Sequence, residues 1–440
     1  MKLALVSVDE LEALPPLGLG YIASYLRKYA DFDKTVIVDK EDQIERIRRE
    51  RPDVVGISAT TLDFKKAEAI ARRVKEELDL PTLVGGFHVT ALPHRLPECF
   101  DVGVLGEGEL TMVDLVRLYE GEGEFSPKGL EGIDGICYHD GSVKMTARRG
   151  NIEPLDSVPY PARDLMKIEE YYLKPARHTY DKLSVGTSII TTRGCLFNCV
   201  FCSQTGFWQH TMRFHSPEYV VGEMKELVAR YPRLEIIRIM DDLFAVKKAR
   251  IKRISELVRE AGLHERVEFH VFGRTNLMDE EMARYLKEMN VRYINFGFES
   301  GSEKVLGYLK RNTVKLAHHY KALELCGKHG LKADGSFIFG APNETREDIE
   351  KTFQLVRHPN LKATMFFKLS PLPSSALWDE ALKKGFVSED MDWDLLKAEF
   401  NPQYPYMGMI PKEEFFREVV PMIIREYETK NRSHLPRVRL

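Results

Sequence analysis

Between residues 183 and 375 an apolar, strand-like run recurs six times, each followed by a helical pattern. The runs are Thr187–Thr192, Glu235–Met240, Val267–Phe272, Tyr293–Phe298, Ala333–Phe339 and Thr364–Leu369. Near-continuous apolar strands alternating with amphipathic helices demand a parallel sheet covered by helices. Six such units without a Rossmann glycine fingerprint predict an incomplete (β/α)6 barrel of TIM type, with its chemistry at the carboxyl ends of the strands. Residues 1–122 alternate on a shorter period. Strands are expected at Leu3–Val8, Thr35–Val38, Asp53–Ser58, Thr82–Val84 and Val102–Leu105, with helices between them, which reads as a Rossmann-like doubly wound domain. Residues 123–182 read as a hairpin around Asp140-Gly141 followed by an extended linker through Pro154, Pro159 and Pro161. Residues 376–440, which carry Trp378 and Trp393, read as a helical segment packed on the barrel. The fold class is therefore α/β.

Formal net charge is −3, with 30% charged residues of both signs. No global field draws such a chain to nucleic acid or anionic lipid. The locally basic tail, Lys430 to Leu440, is read as a solvated terminus. The apolar start Met1 to Val8 breaks into Asp9-Glu10, too short for a membrane span and without a cleavage site, so the reading is a cytoplasmic protein with no transmembrane signal. Six cysteines in 440 residues indicate a reducing compartment rather than a disulfide framework. Cys99, Cys137 and Cys326 lie singly in apolar or helical contexts and read as small core residues.

The other three cysteines are concentrated. Cys195, Cys199 and Cys202 follow the first barrel strand in the run Thr-Thr-Arg-Gly-Cys-Leu-Phe-Asn-Cys-Val-Phe-Cys. Three thiolates from one loop can hold three corners of a 4Fe-4S cluster and leave the fourth iron open for chemistry. The competing reading is a structural zinc site with His210 or His215 as fourth ligand and a non-enzymatic binding role; the missing second ligand pair weighs against it. Polar residues at the ends of the other barrel strands form a candidate mouth: Asp241-Asp242, Arg274, Glu299, Gly340 and Ser370 to Ser375. A cation, carboxylates and glycines around one mouth suit a zwitterionic cofactor. Asp242 is taken as a candidate contact to it, although an Asp-Asp pair is by itself as consistent with a helix cap.

In order and spacing these motifs resemble the cobalamin-binding-domain branch of the radical S-adenosylmethionine (SAM) superfamily, from residue 1 to about residue 385. In the front domain the resemblance rests on Pro15 to Tyr21, Pro52 to Thr60, Val84 to His88 and Gly106 to Glu109. It implies a cytoplasmic, anaerobic enzyme in which Cys195, Cys199 and Cys202 ligate a 4Fe-4S cluster. SAM binds the open iron and is cleaved to a 5'-deoxyadenosyl radical, and cobalamin delivers a methyl group to an unactivated carbon. By position, Phe201 lies near adenine, Arg274 and Glu299 contact polar groups of SAM, and Phe337, Ile338 and Gly340 line its adenine or ribose. Cobalamin is expected at Leu17, Gly18, Ser58, Thr60, Gly85, Gly86, Gly106, Glu107 and Gly108. Ordinary strand-to-helix turns would also explain those glycines.

An external electron donor such as flavodoxin or ferredoxin is implied, together with a small-molecule, lipid or peptide substrate that the sequence does not identify. A radical cyclase, rearrangement or carbon–carbon coupling enzyme with a non-methylating or vestigial cobalamin domain is the alternative. Two departures stand out: Asn343 and Pro373-Ser374-Ser375 occupy places where members carry Gly and Pro-Gly-Thr. The Asp-x-His-x-x-Gly motif of histidine-ligating cobalamin proteins is absent, and the loop from Ser7 to Pro16 holds no histidine; the first in the chain is His88. The resemblance therefore predicts a cobalt without a protein nitrogen on its lower face.

Overall fold

The computed structural model describes residues 1–8, 14–178 and 181–432. Positions 9–13 of the loop after the first strand, and the basic tail beyond Arg432, lie outside the described residues. The chain divides into two compact units. The first is Met1–Tyr172 with Gly206–Gln209 and Glu389–Asp394, and the second is Leu173–Thr205, His210–Ser388 and Leu395–Leu440. No described helix is long and apolar enough to cross a membrane.

The first unit is built on β1 (Leu3–Ser7), β2 (Thr35–Val38), β3 (Val54–Ser58), β4 (Thr82–Gly85), β5 (Val102–Val104), β6 (Ile136–Asp140) and β7 (Ser142–Met145). These form one sheet in the order β2-β1-β3-β4-β5-β6-β7. The first five strands are parallel. Their residues are almost wholly buried, as expected for a sheet covered on both faces. The order reverses between β1 and β3, which makes their carboxyl ends a topological switch point where such sheets take ligands. The hairpin that the sequence assigns to an intervening segment instead pairs antiparallel with β5 and extends this sheet. The linker after it packs on helix Leu17–Ala30, where Ala162 N–H donates to the Gly20 carbonyl at 3.0 Å.

A second difference concerns the segment after residue 376. The sequence predicts helix packed on the barrel, yet Glu389–Asp394 belongs to the front unit. There Lys65 holds Asp392 and Asp394 at 2.9 and 3.2 Å, and Trp393 sits edge-on to His88. With four acids among six residues, Glu389–Asp394 offers no continuous apolar helix face; it forms a turn and bend that run into the short 3-10 helix Trp393–Leu396.

The second unit carries β8 (Gly186–Ile189), β9 (Thr192–Gly194), β10 (Met212–Phe214), β11 (Ile236–Ile239), β12 (Glu268–Gly273), β13 (Val291–Glu299), β14 (Lys332–Phe339) and β15 (Leu361–Lys368). Six of them form a parallel sheet in sequential order, β8-β11-β12-β13-β14-β15, as a partial barrel requires. The small antiparallel pair β9–β10 sits outside that sheet and has no counterpart in the sequence reading. Helices start at side-chain caps, with Ser216, Asp279 and Thr345 each accepting a backbone N–H of the first turn. Phe298, Phe337, Phe339 and Phe366 pack ring against ring as part of the barrel core. Helix Val420–Asn431 covers β15, and Asn431 exchanges bonds with the backbone of Thr364.

Candidate functional site

The cysteine loop is positioned from below by one wholly buried carboxylate. Asp241, just past β11, accepts bonds from Thr191 N–H and Thr191 Oγ1, both at 2.6 Å, and from Thr192 N–H at 3.0 Å. Arg250 completes the bracket by donating to the carbonyls of Thr191 and His215. The Asp-Asp pair thus separates into two roles. Asp241 fixes the turn between β8 and β9, while Asp242 is exposed and near enough to the thiols of Cys195 and Cys202 to raise their pKa values. Gly194, at φ 92, then turns the chain into the loop.

The loop is clamped at its middle. Val200 N–H donates to the Leu309 carbonyl at 3.0 Å, and the Val200 carbonyl accepts from Leu377 N–H at 2.8 Å. Val200 packs with Leu309, Ile338, Ala341, Leu369 and Leu377, and Phe201 rests against the same cluster. Cys199 is buried and Cys195 and Cys202 half-buried. Burial pushes the Cys202 thiol up to about 12 and raises Cys195 as well, and each lies in the field of the other two cysteines or of Cys199. Three desolvated thiols on one clamped loop are the donor set that a 4Fe-4S cluster needs, since iron would take the place of their protons. Among the described residues no three His, Cys, Asp or Glu side chains gather closely enough to hold a single metal ion. His215 is buried and stacked on Tyr219 at 3.9 Å.

Arg274, at the end of β12, reaches this loop. Its Nη1 donates to Cys199 Sγ at 3.5 Å, and its guanidinium lies over the Phe197 ring, 3.6 Å from the centroid. Glu299 ends β13 past a register shift and takes a left-handed φ of 62. It pairs with Lys310 at 2.7 Å, both side chains almost fully buried, and the Lys310 ammonium lies 5.7 Å from the Phe201 ring centre. The turn after helix Glu303–Leu309 therefore serves three parts of the site: Leu309 holds the loop, Lys310 holds Glu299, and Thr313 accepts from Arg274 Nη2. Lys310 and Thr313 lie beyond the strand ends and carry no motif of their own, so sequence reasoning missed them.

At β14 the candidates separate. Ile338 joins the Val200 and Phe201 cluster, whereas Phe337 is fully buried in the stack with Phe298, 5.5 Å between centroids. Alternate residues of a strand face opposite sides, so two neighbours cannot both line the mouth. Gly340, at φ 88, donates its N–H to Glu344 Oε2 at 2.6 Å, and a Cβ there would meet the Tyr406 ring at 3.0 Å. Tyr406 and Met407 bring the stretch before helix Val420–Asn431 to this edge, with Met407 packed against the Phe201 cluster. Lys368, buried at the end of β15, ties that stretch down by donating to the Pro405 carbonyl at 3.0 Å. A lysine inside an apolar strand run was the available signal for it. Ser374, standing where the resembled pattern has glycine, takes the left-handed φ of 72, and Ser375 caps helix Ala376–Lys383. Asn343 donates its side-chain N–H to the Lys304 carbonyl.

In the front unit Ser7, Ser58 and Gly85 stand in register at the carboxyl ends of β1, β3 and β4. A Cβ at Gly18 or Gly106 would meet nothing within 4 Å, and one at Gly85 nothing nearer than 3.8 Å. Gly86 differs: at φ 111 its Cβ would lie 2.4 Å from the Ala59 carbonyl oxygen. Thr90, unmarked in the sequence, bonds both the Gly86 carbonyl and the Gly106 N–H. Open space over glycine backbone along the carboxyl ends of these strands, beginning at the switch point, fits a large planar ring. Three predicted contacts are directed elsewhere. Leu17 is core, Glu107 accepts from Ile152 N–H at 2.8 Å, and Thr60 donates to Asp63. Gly108 begins helix Gly108–Glu122 with the Ile22 side chain 3.1 Å from where its Cβ would be. His88 is buried against Phe64 at 3.8 Å, and burial lowers its pKa to about 3.

A partial barrel with a three-thiol loop at its carboxyl end, and a doubly wound unit with an open glycine edge, define a two-cofactor enzyme. Residues 189–356 match the family model of the radical SAM superfamily, and residues 9–116 match that of the B12 binding domain. A protein of Pyrococcus horikoshii named as an uncharacterized methyltransferase is 33% identical over 392 residues, covering 86% of this chain and 81% of its own. The anaerobic magnesium-protoporphyrin IX monomethyl ester cyclase of Rubrivivax gelatinosus is 30% identical over 380 residues, 83% of this chain and 66% of that one. Among solved structures, the radical S-adenosylmethionine methyltransferase TsrM from Kitasatospora setae, with cobalamin and a 4Fe-4S cluster bound, superposes with a TM-score of 0.70 at 19% identity, covering 87% of this chain and 78% of that one. The chain belongs to the cobalamin-dependent radical SAM enzymes.

Proposed function

We propose that this protein methylates an unactivated carbon of a small organic substrate, with SAM as radical source and cobalamin as methyl carrier. The observation that carries the reading is that one chain holds both a clamped loop of three desolvated thiols and an open glycine edge along the carboxyl ends of a parallel sheet. The 33% identical relative named as a methyltransferase supports it. When bound, the cluster supplies the electron that cleaves SAM, and cobalamin supplies the methyl group. The chain's own part is to place them. Cys195, Cys199 and Cys202 hold the iron, Phe201, Ile338 and Gly340 flank adenine, and Glu299 and Asp242 face the polar end of SAM. Ser58, Gly18, Gly85, Gly86 and Gly106 give the corrin its bed. Flavodoxin or ferredoxin serves as electron donor.

A second reading has one observation behind it: a relative at 30% identity is named as a cyclase. Ring closure would use the radical step without net methyl transfer. The test is anaerobic reconstitution with iron, sulfide and cobalamin, followed by reaction with SAM under reducing conditions. Methylation predicts S-adenosylhomocysteine, the by-product of methyl donation, in step with 5'-deoxyadenosine. Deoxyadenosine alone in cobalamin-loaded protein would favour the cyclase reading.

A further inference from the structure

Arg274 is a cation in the wrong company for a surface residue. It is 5% exposed, and among the described residues all its contacts are neutral as the chain stands. Nη1 donates to Cys199 Sγ, Nε to Asn276 Oδ1 at 3.0 Å and Nη2 to Thr313 Oγ1, while the Phe197 ring covers one face. The buried acid nearest in role, Glu299, is engaged by Lys310. A guanidinium does not give up its proton in proteins. A buried charge without a counter-ion is strongly unfavourable, so the site is built for an anion that arrives later.

We propose that this anion is the iron–sulfur cluster with its thiolates, and that Arg274 sets the cluster's reduction potential rather than binding SAM. The inference rests on the cluster reading above. Three of the five N–H donors are committed, one of them to a sulfur that would ligate iron, and the ring of Phe197 fixes the plane. Reduction adds one electron from the external donor to the cluster and breaks no bond, so the product carries one more negative charge. A fixed cation and a hydrogen bond at a ligand sulfur stabilise that reduced state more than the oxidised one and raise the potential. Thr313 and Asn276 are positioning residues for the guanidinium.

The test uses the full chain reconstituted anaerobically with iron and sulfide, without substrate. The midpoint potential is read by electron paramagnetic resonance during a redox titration, and SAM affinity by equilibrium dialysis. Arg274→Gln should move the midpoint to more negative potential, Thr313→Val should move it less far in the same direction, and SAM affinity in Thr313→Val should match the wild type. An unmoved potential in iron-replete Arg274→Gln overturns the proposal. If SAM binding then falls about tenfold or more, as loss of a charge-assisted bond predicts, Arg274 is a SAM contact instead. Should Arg274→Gln lose iron, Thr313→Val and Arg274→Lys decide, because both keep a cation beside Cys199 with altered geometry; an unchanged midpoint in both overturns the assignment. Wild-type protein that takes up no iron would instead sink the cluster reading itself.

Discussion

In the barrel unit the groups around the thiols are held by side chains: Asp241 grips the turn below the loop, Lys310 grips Glu299, and Thr313 grips Arg274. In the front unit the candidate corrin edge is made of what is missing, with open space where Cβ atoms of Gly18 and Gly106 would stand and one threonine joining two glycine turns. A cluster ligated through sulfur needs donors at set points and a field that suits its charge. A wide flat ring needs room and backbone. The two sites should therefore fail differently when altered.

The largest effect is expected where a donor is lost. Cys195→Ala, Cys199→Ala and Cys202→Ala should each abolish 5'-deoxyadenosine formation, with iron and sulfide content as the companion measurement. Cys99→Ala, Cys137→Ala and Cys326→Ala should leave iron content unchanged, since these three thiols are buried singly in other elements. Near-wild-type SAM cleavage in any loop variant would show that the barrel site is not donor-built.

Shape is the variable in the front unit. Gly18→Phe adds a ring into open space at the start of its helix, so it should fold with little change in melting temperature yet fail to retain cobalamin on gel filtration. Gly86→Ala forces a Cβ against the Ala59 carbonyl at positive φ and should cost about 1–3 kcal/mol of stability as well. If Gly18→Phe binds cobalamin like wild type, the ring lies elsewhere and the contrast between the sites collapses.

The last effect shows only when pH is varied and concerns a buried acid at the barrel mouth. Burial raises the Glu344 carboxyl to about 8 from an ordinary 4.5. Below pH 4.5 folded and unfolded chains both hold the proton. As pH rises from there towards 8 the unfolded chain releases a proton that the folded chain keeps, and stability falls by at most about 1.4 kcal/mol per pH unit. Glu344→Gln keeps an acceptor for Gly340 N–H and should remove that part of the slope, measured as melting temperature between pH 5 and 8. Parallel curves for the two proteins would show that Glu344 is ionised in the folded state.

Much of this was legible in the residues. The six strand runs became β8 and β11 to β15 with ends moved by a few residues, because a strand buried on both faces leaves an apolar run that no surface element copies. The cysteine loop was legible because three thiols at that spacing have few other uses. Phe337 and Ile338 were not separable as neighbours in one run. Only the pleat decides which faces the mouth, and it sent Phe337 into the aromatic stack. Glu107 and Thr60 looked like edge residues, but the linker at Ile152 and the acid Asp63 claimed them.

By itself the sequence determined the class of fold, the loop that would hold iron and the glycine turns that leave space, since each depends on residue types within a short stretch of chain. The tertiary structure decided how charge is distributed around them. Arg274 and Glu299 read alike as polar residues at strand ends, yet one meets a thiol and the other a lysine from a turn eleven residues further on. Local sequence sets backbone shape and periodicity, whereas the partner of a buried charge is whatever side chain folding brings across the sheet, and that is settled only when the strands take their register.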